Sequence, residues 1–167
     1  MTAQVPDTCM FDGRRWAIEW WEGDCSVIPS NKDLDIETVS ASTANWSGRI
    51  NHFMVCRGKL YLLKIEVNLA EDRRDKLPDK AQREVLSRYE KMWSFDKDGE
   101  RTTIREHRFE YLVFHDLFIP YTGEVFLSYP CIDLWEQPYD CDEDDDNDRV
   151  EMLLTFEEGI LMEAREL

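Results

Sequence analysis

Polar and apolar residues alternate along much of this chain, which is the pattern of β-strands with one buried face. Near the N-terminus, Trp16, Ile18 and Trp20 alternate with other residues between two turns that contain glycine. This spacing predicts a strand whose three large apolar side chains share one face.

The clearest hairpin is predicted for residues 50–55 and 59–69, which flank the turn Cys56-Arg57-Gly58. Apolar residues alternate along the second arm until Leu63 interrupts them. We therefore expect either a β-bulge at this point or a strand that is buried on both faces.

The C-terminal half predicts further strands. Residues 102–118 read as one or two strands, to which a short helix near 115–118 could be added, and residues 125–129 should be extended. Residues 150–156 and 160–164 predict a closing hairpin across the turn Glu157-Glu158-Gly159.

One segment has a different period. Between residues 81 and 93, apolar side chains recur at helical spacing and charged ones occupy the other faces. Pro78 and Asp79 suit a first helical turn, and Asp98-Gly99 is a turn signal after the segment. These features predict one amphipathic helix, with apolar positions Ala81, Val85, Tyr89, Met92 and Trp93.

A sequence pattern is repeated. The run Asn45-Trp46-Ser47-Gly48 and the run Pro120-Tyr121-Thr122-Gly123 each precede an extended segment, and a later turn glycine follows each of them. We therefore predict a single α+β domain over residues 1–167, in which two related β units form a mostly antiparallel, curved or partly closed sheet with the helix packed on it. The units span about 11–69 and 102–167, with the helical insertion at about 77–95.

Composition excludes several classes of protein. Hydrophobic residues form 43% of the chain and aromatic residues 12%, which is too much apolar material for a disordered protein. The formal net charge is −16, so nucleic acid is a poor partner because its phosphates require a basic surface. The N-terminus has no signal-peptide pattern, and no window is apolar enough to span a membrane. We expect a cytoplasmic protein that does not associate with membranes.

The five cysteines are odd in number and contain no close pair of the kind that zinc and redox motifs need, so free thiols are expected. An acidic run at residues 140–148 carries seven carboxylates. Asp140, Asp142, Asp144 and Glu151 match positions of an EF-hand loop, but Asp145 stands where that loop needs glycine. We therefore expect a solvated loop and no metal or cofactor, with a weak response to divalent cations as an alternative.

No catalytic motif is present. None of His52, His107 and His115 has a partner at the spacing of two metal ligands on one helix face. His115 and Asp116 could serve as a base only if a nucleophile came from elsewhere in the fold. An enzyme of unknown reaction, using dispersed His, Asp and Cys residues, remains an alternative.

Aromatic and acidic side chains are the candidates for partner binding. Trp20 and Trp21 are adjacent, so in a strand one of them should lie on the outer face, where an indole can contact a protein. An apparent loop contributes Asp133, Trp135 and Tyr139, and the acidic run contributes further carboxylates. The acidic candidates are Asp142, Glu143, Asp144, Asp145 and Asp146.

Three blocks of sequence resemble a group of small uncharacterised bacterial proteins with the same two-block layout: residues 42–48, 58–62 and 154–161. The resemblance does not include residues 77–109 or the acidic run, and it implies no site residues. At the level of fold and charge, the chain is also similar to immunity proteins that neutralise secreted toxins. That similarity implies an inhibitor that blocks a basic toxin or effector domain. The sequence does not indicate an oligomeric state.

Overall fold

The computed structural model describes residues 4–40, 47–70, 77–78, 81–97, 99–131 and 149–167, with only the backbone described at positions 90, 92, 94 and 96. These residues form nine β-strands and a single 3-10 turn at Cys25–Val27. The strands are β1 (Thr8–Phe11), β2 (Arg14–Gly23), β3 (Arg49–Cys56), β4 (Lys59–Val67), β5 (Ala81–Asp96), β6 (Gly99–Phe114), β7 (Gly123–Tyr129), β8 (Val150–Glu157) and β9 (Ile160–Glu166).

Seven strands close into a barrel in the order β3-β1-β2-β7-β8-β9-β4, and β4 pairs back with β3. The pairing of β1 with β3 is parallel and the other pairings are antiparallel, so the barrel is mixed. The seam between β9 and β4 is short, with Lys59 opposite Ile160. Next to this seam, the backbone of residues 117–119 hydrogen-bonds to β4 and continues the wall of the barrel.

Two-residue turns connect three of the hairpins. Asp12-Gly13, Arg57-Gly58 and Glu158-Gly159 all have positive φ at both residues. Turns of this kind match the right-handed twist of antiparallel strands. The predicted hairpins across residues 56–58 and 157–159 are confirmed.

Two of the three register shifts among the barrel strands fall in segments for which the sequence makes a prediction. Opposite His52 and Phe53, the pairing on β4 jumps from Lys64 to Leu62, so Leu63 is the extra residue. The predicted bulge is therefore confirmed. A second shift between Ile18 and Trp20 turns Trp20 outward, so the prediction that Trp16, Ile18 and Trp20 share one face was wrong beyond Ile18.

Aromatic side chains fill the barrel interior. The Trp21 ring lies 5.0 Å from the rings of both Phe53 and Tyr121, and Phe156 packs on the other side of Tyr121 at 6.3 Å. The side chains that are almost completely buried are Tyr121, Phe53, Leu60, Leu62, Ile65, Leu112, Ile119, Leu127 and Leu154.

The predicted α+β class and its amphipathic helix are wrong. The described fold is all-β, a closed seven-stranded barrel with two extra strands, and residues 81–93 lie in β5. Val85, Tyr89 and Trp93 recur every four residues, a spacing that suits one helix face but also one strand face. The continuous pairing of β5 with the 16 residues of β6 selects the strand. Residues 115 and 116 form a bend, Phe118 forms an isolated β-bridge with Tyr61, and residues 115–118 form no helix.

Of the repeated motifs, Tyr121 lies two residues before the start of β7, whereas Trp46 lies outside the described residues. Within the described part of the chain, no helix is long and apolar enough to cross a membrane.

Candidate protein-binding surface

Strands β5 and β6 form an arm that extends beyond the barrel. Only the four β6 residues from Glu110 to Val113 pair with β4. The preceding residues, 99–109, pair with β5 alone within the described part of the chain. At about 3.3 Å per residue, this two-stranded β5–β6 arm projects by roughly 35 Å.

One face of the arm continues the buried face of the barrel wall. Leu112 and Phe114 are in the core, and every second β6 residue, with its β5 partners, lies on that same face. Farther out, this face is exposed and carries five large apolar side chains, which lie among the polar residues Ser87, Lys91, Glu100, Thr102, Glu106 and Arg108. We call it the apolar arm face, formed by Val85 (41% exposed), Tyr89 (69%), Trp93 (59%), Phe95 (84%) and Ile104 (74%).

An ion pair marks the boundary between the core and the apolar arm face. Arg83 and Glu110 approach to 2.9 Å, and the Glu110 side chain is only 12% exposed. The pair lies next to Leu112, at the last positions where β6 contacts the barrel. Apolar side chains on the arm side of this pair therefore cannot reach the barrel core.

On the opposite face, basic side chains lie over aromatic rings. The Lys64 ammonium is 4.5 Å from the centre of the Tyr111 ring, and the Arg88 guanidinium is 5.9 Å from that of Phe109. On the apolar arm face, the corresponding contact is Lys91 with Trp93, at 4.8 Å. Phe95 and Ile104, which are 84% and 74% exposed, are the least covered side chains of that face.

The arm and the rest of the chain differ in charge. Residues 81–114 contain seven Lys or Arg and seven Asp or Glu, so their formal charge is zero. The net charge of −16 is therefore carried by the rest of the chain. The arm is thus neutral overall, and the negative charge lies elsewhere in the chain.

The two adjacent tryptophans point in opposite directions, as the sequence predicts for neighbours in a strand. Trp20 is 52% exposed and its ring lies 4.1 Å from that of Phe126, whereas Trp21 packs against the core. Of this pair, Trp20 is the residue available to a partner. The other candidates, Asp133, Trp135, Tyr139, Asp142, Glu143, Asp144, Asp145 and Asp146, lie outside the described residues.

The residues of the enzyme and metal alternatives are dispersed where the structure describes them. His115 and Asp116 are exposed on the bend after β6, whereas Cys9 is buried in the core cluster. Burial raises the pKa of the Cys9 thiol to about 12, so it is a poor nucleophile. No group of three His, Cys, Asp or Glu side chains suited to a metal occurs among the described residues, and the acidic run lies outside them.

A partly buried polar cluster joins the chain before β1 to β3. The Asp7 carboxylate accepts hydrogen bonds from the backbone N–H of Asn51 at 2.8 Å and from its side-chain amide at 3.0 Å. Arg49 donates to Asn51 at 2.8 Å, to Asn31 at 3.1 Å and to the carbonyl of Pro29 at 2.7 Å. The hydrogen bonds within this cluster indicate a structural role.

The apolar arm face was missed because residues 81–93 were interpreted as a helix. A signal for it is present in the sequence: the run Asp96-Lys97-Asp98-Gly99 separates two segments that both alternate, with Tyr89, Trp93 and Phe95 on one side and Ile104 on the other. Two alternating segments of similar length on either side of a turn predict a long hairpin.

Comparisons of the chain with protein-family models, with curated proteins and with solved structures give no match.

Proposed function

We propose that this protein binds another protein through the apolar arm face and that the partner is basic. The proposal depends on one observation: Tyr89, Trp93 and Phe95 are exposed on the same sheet face that is core at Leu112. Contiguous exposed aromatic side chains are typical of protein-binding surfaces, where Trp and Tyr contribute most of the affinity.

The charge distribution favours a basic partner. An acidic body attracts a basic protein over long range and increases the rate of association, whereas the arm has no net charge and does not oppose that approach. Within this class we favour an immunity-type inhibitor, in which the acidic body would block the phosphate-binding cleft of a basic toxin or effector domain.

The test begins by cross-linking the wild-type chain in cells, and then purifying the captured protein and measuring its affinity directly. Trp93→Ser/Phe95→Ser should weaken binding by at least about 30-fold, because two central aromatic contacts are lost. Met162→Ser is the matched control, since Met162 is 60% exposed on β9, away from the arm. Trp20→Ser tests the outer barrel face separately.

Two further results would support the proposal: a basic captured protein, and an association rate that falls as salt is added. Full affinity of the Trp93→Ser/Phe95→Ser variant would contradict the role of the arm. An acidic partner, or an association rate that does not depend on salt, would contradict the electrostatic part.

A further inference from the structure

The outer edge of β5 is a second feature of the arm, distinct from its apolar face. β5 is 16 residues long, and within the described residues it pairs only with β6. The average strand has about five or six residues, so this edge is unusually long. Backbone N–H and C=O groups along a sheet edge can pair with a strand of another chain.

The residues of β5 are chemically self-complementary about Tyr89. If two β5 strands lie antiparallel with Tyr89 opposite Tyr89, then within four residues of the axis a basic residue lies opposite an acidic one and apolar residues lie opposite apolar ones. The resulting pairs are Arg88 with Glu90, Ser87 with Lys91, Leu86 with Met92 and Val85 with Trp93.

We propose that two copies of this chain associate by antiparallel pairing of their β5 edges about a twofold axis at Tyr89. Such an interface is isologous, as in most homodimers. The charges also disfavour the two neighbouring axis positions. An axis at Arg88 would place two arginines opposite each other, and an axis at Glu90 would place two glutamates opposite each other, both of which are unfavourable.

The pairing produces a four-stranded sheet from the two arms. Because Tyr89 lies on the axis, odd-numbered residues of both copies share one face, and the two apolar arm faces become continuous. The axis lies four residues beyond Val85, the residue opposite Glu110 where contact with the barrel ends, roughly 13 Å along the strand. The neutral arms thus meet at a distance from the acidic bodies, where charge repulsion is weaker.

This inference goes beyond the proposed function, since it concerns the edge of the arm and requires no second protein. It is tested on the purified chain alone, by sedimentation equilibrium. The wild type should form a dimer. Arg88→Glu and Glu90→Arg should each raise the dimer dissociation constant by at least about tenfold, because each creates two like-charge pairs across the axis.

The double variant Arg88→Glu/Glu90→Arg restores opposite charges and should restore the dimer. This exchange separates pairing across the axis from a general effect on folding. A wild type that is monomeric at high micromolar concentration would overturn the proposal. A double variant that is no better than the single ones would also overturn it.

Cross-linking tests the register independently. With Cys25, Cys56, Cys131 and Cys141 replaced by Ser, Tyr89→Cys should form a disulfide-linked dimer under mild oxidation, because opposed Cα atoms in antiparallel strands are about 5 Å apart. Ser87→Cys is the matched control on the same face, where the two sulfurs would be held roughly 13 Å apart along the strands. Equal cross-linking of both variants would overturn the assigned register.

Discussion

The hydroxyl of Tyr121 donates a hydrogen bond to the carbonyl oxygen of Glu124, 3.1 Å away, inside a ring of packed aromatic side chains. Two glycines make room for this hydroxyl. Gly23 of β2 is paired with Gly123 of β7, and a Cβ atom on either would lie 2.6 to 2.7 Å from the Tyr121 oxygen. Burial raises the pKa of Tyr121 to about 12, so the hydroxyl remains a donor at neutral pH.

Gly123→Ala should therefore destabilise the barrel strongly. The new methyl group would also lie 2.3 Å from the carbonyl oxygen of Glu22, and φ at Gly123 is +145°. Overpacking together with an unfavourable φ should cost about 3 kcal/mol in the free energy of unfolding. Urea denaturation followed by tryptophan fluorescence measures this change.

Gly13→Ala is the control for the backbone effect alone. Gly13 has φ of +73°, but a Cβ atom there would have nothing within 4 Å. Its cost should be about 1 kcal/mol. Equal costs for Gly13→Ala and Gly123→Ala would contradict this prediction, because they would show that overlap with Tyr121 and Glu22 adds nothing to the backbone effect.

Local patterns predicted the barrel hairpins because their turn chemistry and strand period agree. Arg57-Gly58 and Glu158-Gly159 adopt the positive φ angles that a two-residue hairpin needs, and the interruption at Leu63 is the bulge. In these segments, the local sequence and the final structure require the same conformation.

The prediction of a helix was wrong because the spacing of the apolar residues fits both the helical and the strand period. Val85, Tyr89 and Trp93 fit a helix and a strand equally well, and the choice is made by pairing with β6, which follows in the chain. The outward turn of Trp20 depends on the bulge at Glu19, opposite β7, a strand about a hundred residues away. Such non-local pairing cannot be read from spacing within one segment.

For the acidic run and Trp135, which lie outside the described residues, the binding roles stay predictions.

Asp7 should make stability depend on pH in a defined direction. Burial raises its pKa above the ordinary 3.8, because lost hydration outweighs the hydrogen bonds from Asn51 and the field of Arg49. The folded state therefore binds the proton more tightly than the unfolded state. The stability contributed by Asp7 is full below pH 3.8 and falls as the pH rises through the raised, folded-state pKa.

The comparison of wild type with Asp7→Asn isolates this contribution, because the other carboxyl groups titrate in both proteins. The free energy of unfolding of the wild type minus that of the variant should decrease from pH 3 towards neutrality and then become constant. Urea denaturation at a series of pH values measures it. A difference that increases with pH would mean that the hydrogen bonds from Asn51 outweigh burial.

Thiol reactivity should distinguish the cysteines. Cys9 is 2% exposed and its pKa is raised to about 12 by burial, whereas Cys25 and Cys56 are exposed. In the native protein at pH 8, a thiol-reactive chromogenic disulfide should label Cys25 and Cys56 rapidly and Cys9 only on unfolding. Cys9→Ser should remove the slow phase alone. Rapid labelling of Cys9 would indicate that β1 opens readily.

The outer part of the arm should be dispensable for folding, because residues 86–109 pair with each other and not with the barrel. Leu86 lies directly opposite Phe109, in the same hydrogen-bonded set of pairs as Asp96 and Gly99, so replacing residues 87–108 with Asn-Gly would close a two-residue hairpin turn at that point. The free energy of unfolding should change by less than about 1 kcal/mol, because the excised apolar face is largely exposed. Thermal and urea unfolding measure this change. A shorter excision, in which Asn-Gly replaces residues 91–104 between the opposed residues Glu90 and Arg105, serves as the second variant. If both shortened chains lost cooperative unfolding, the arm would be part of the folding unit; if both folded, the exposed aromatic side chains of the arm would be retained for a purpose other than stability.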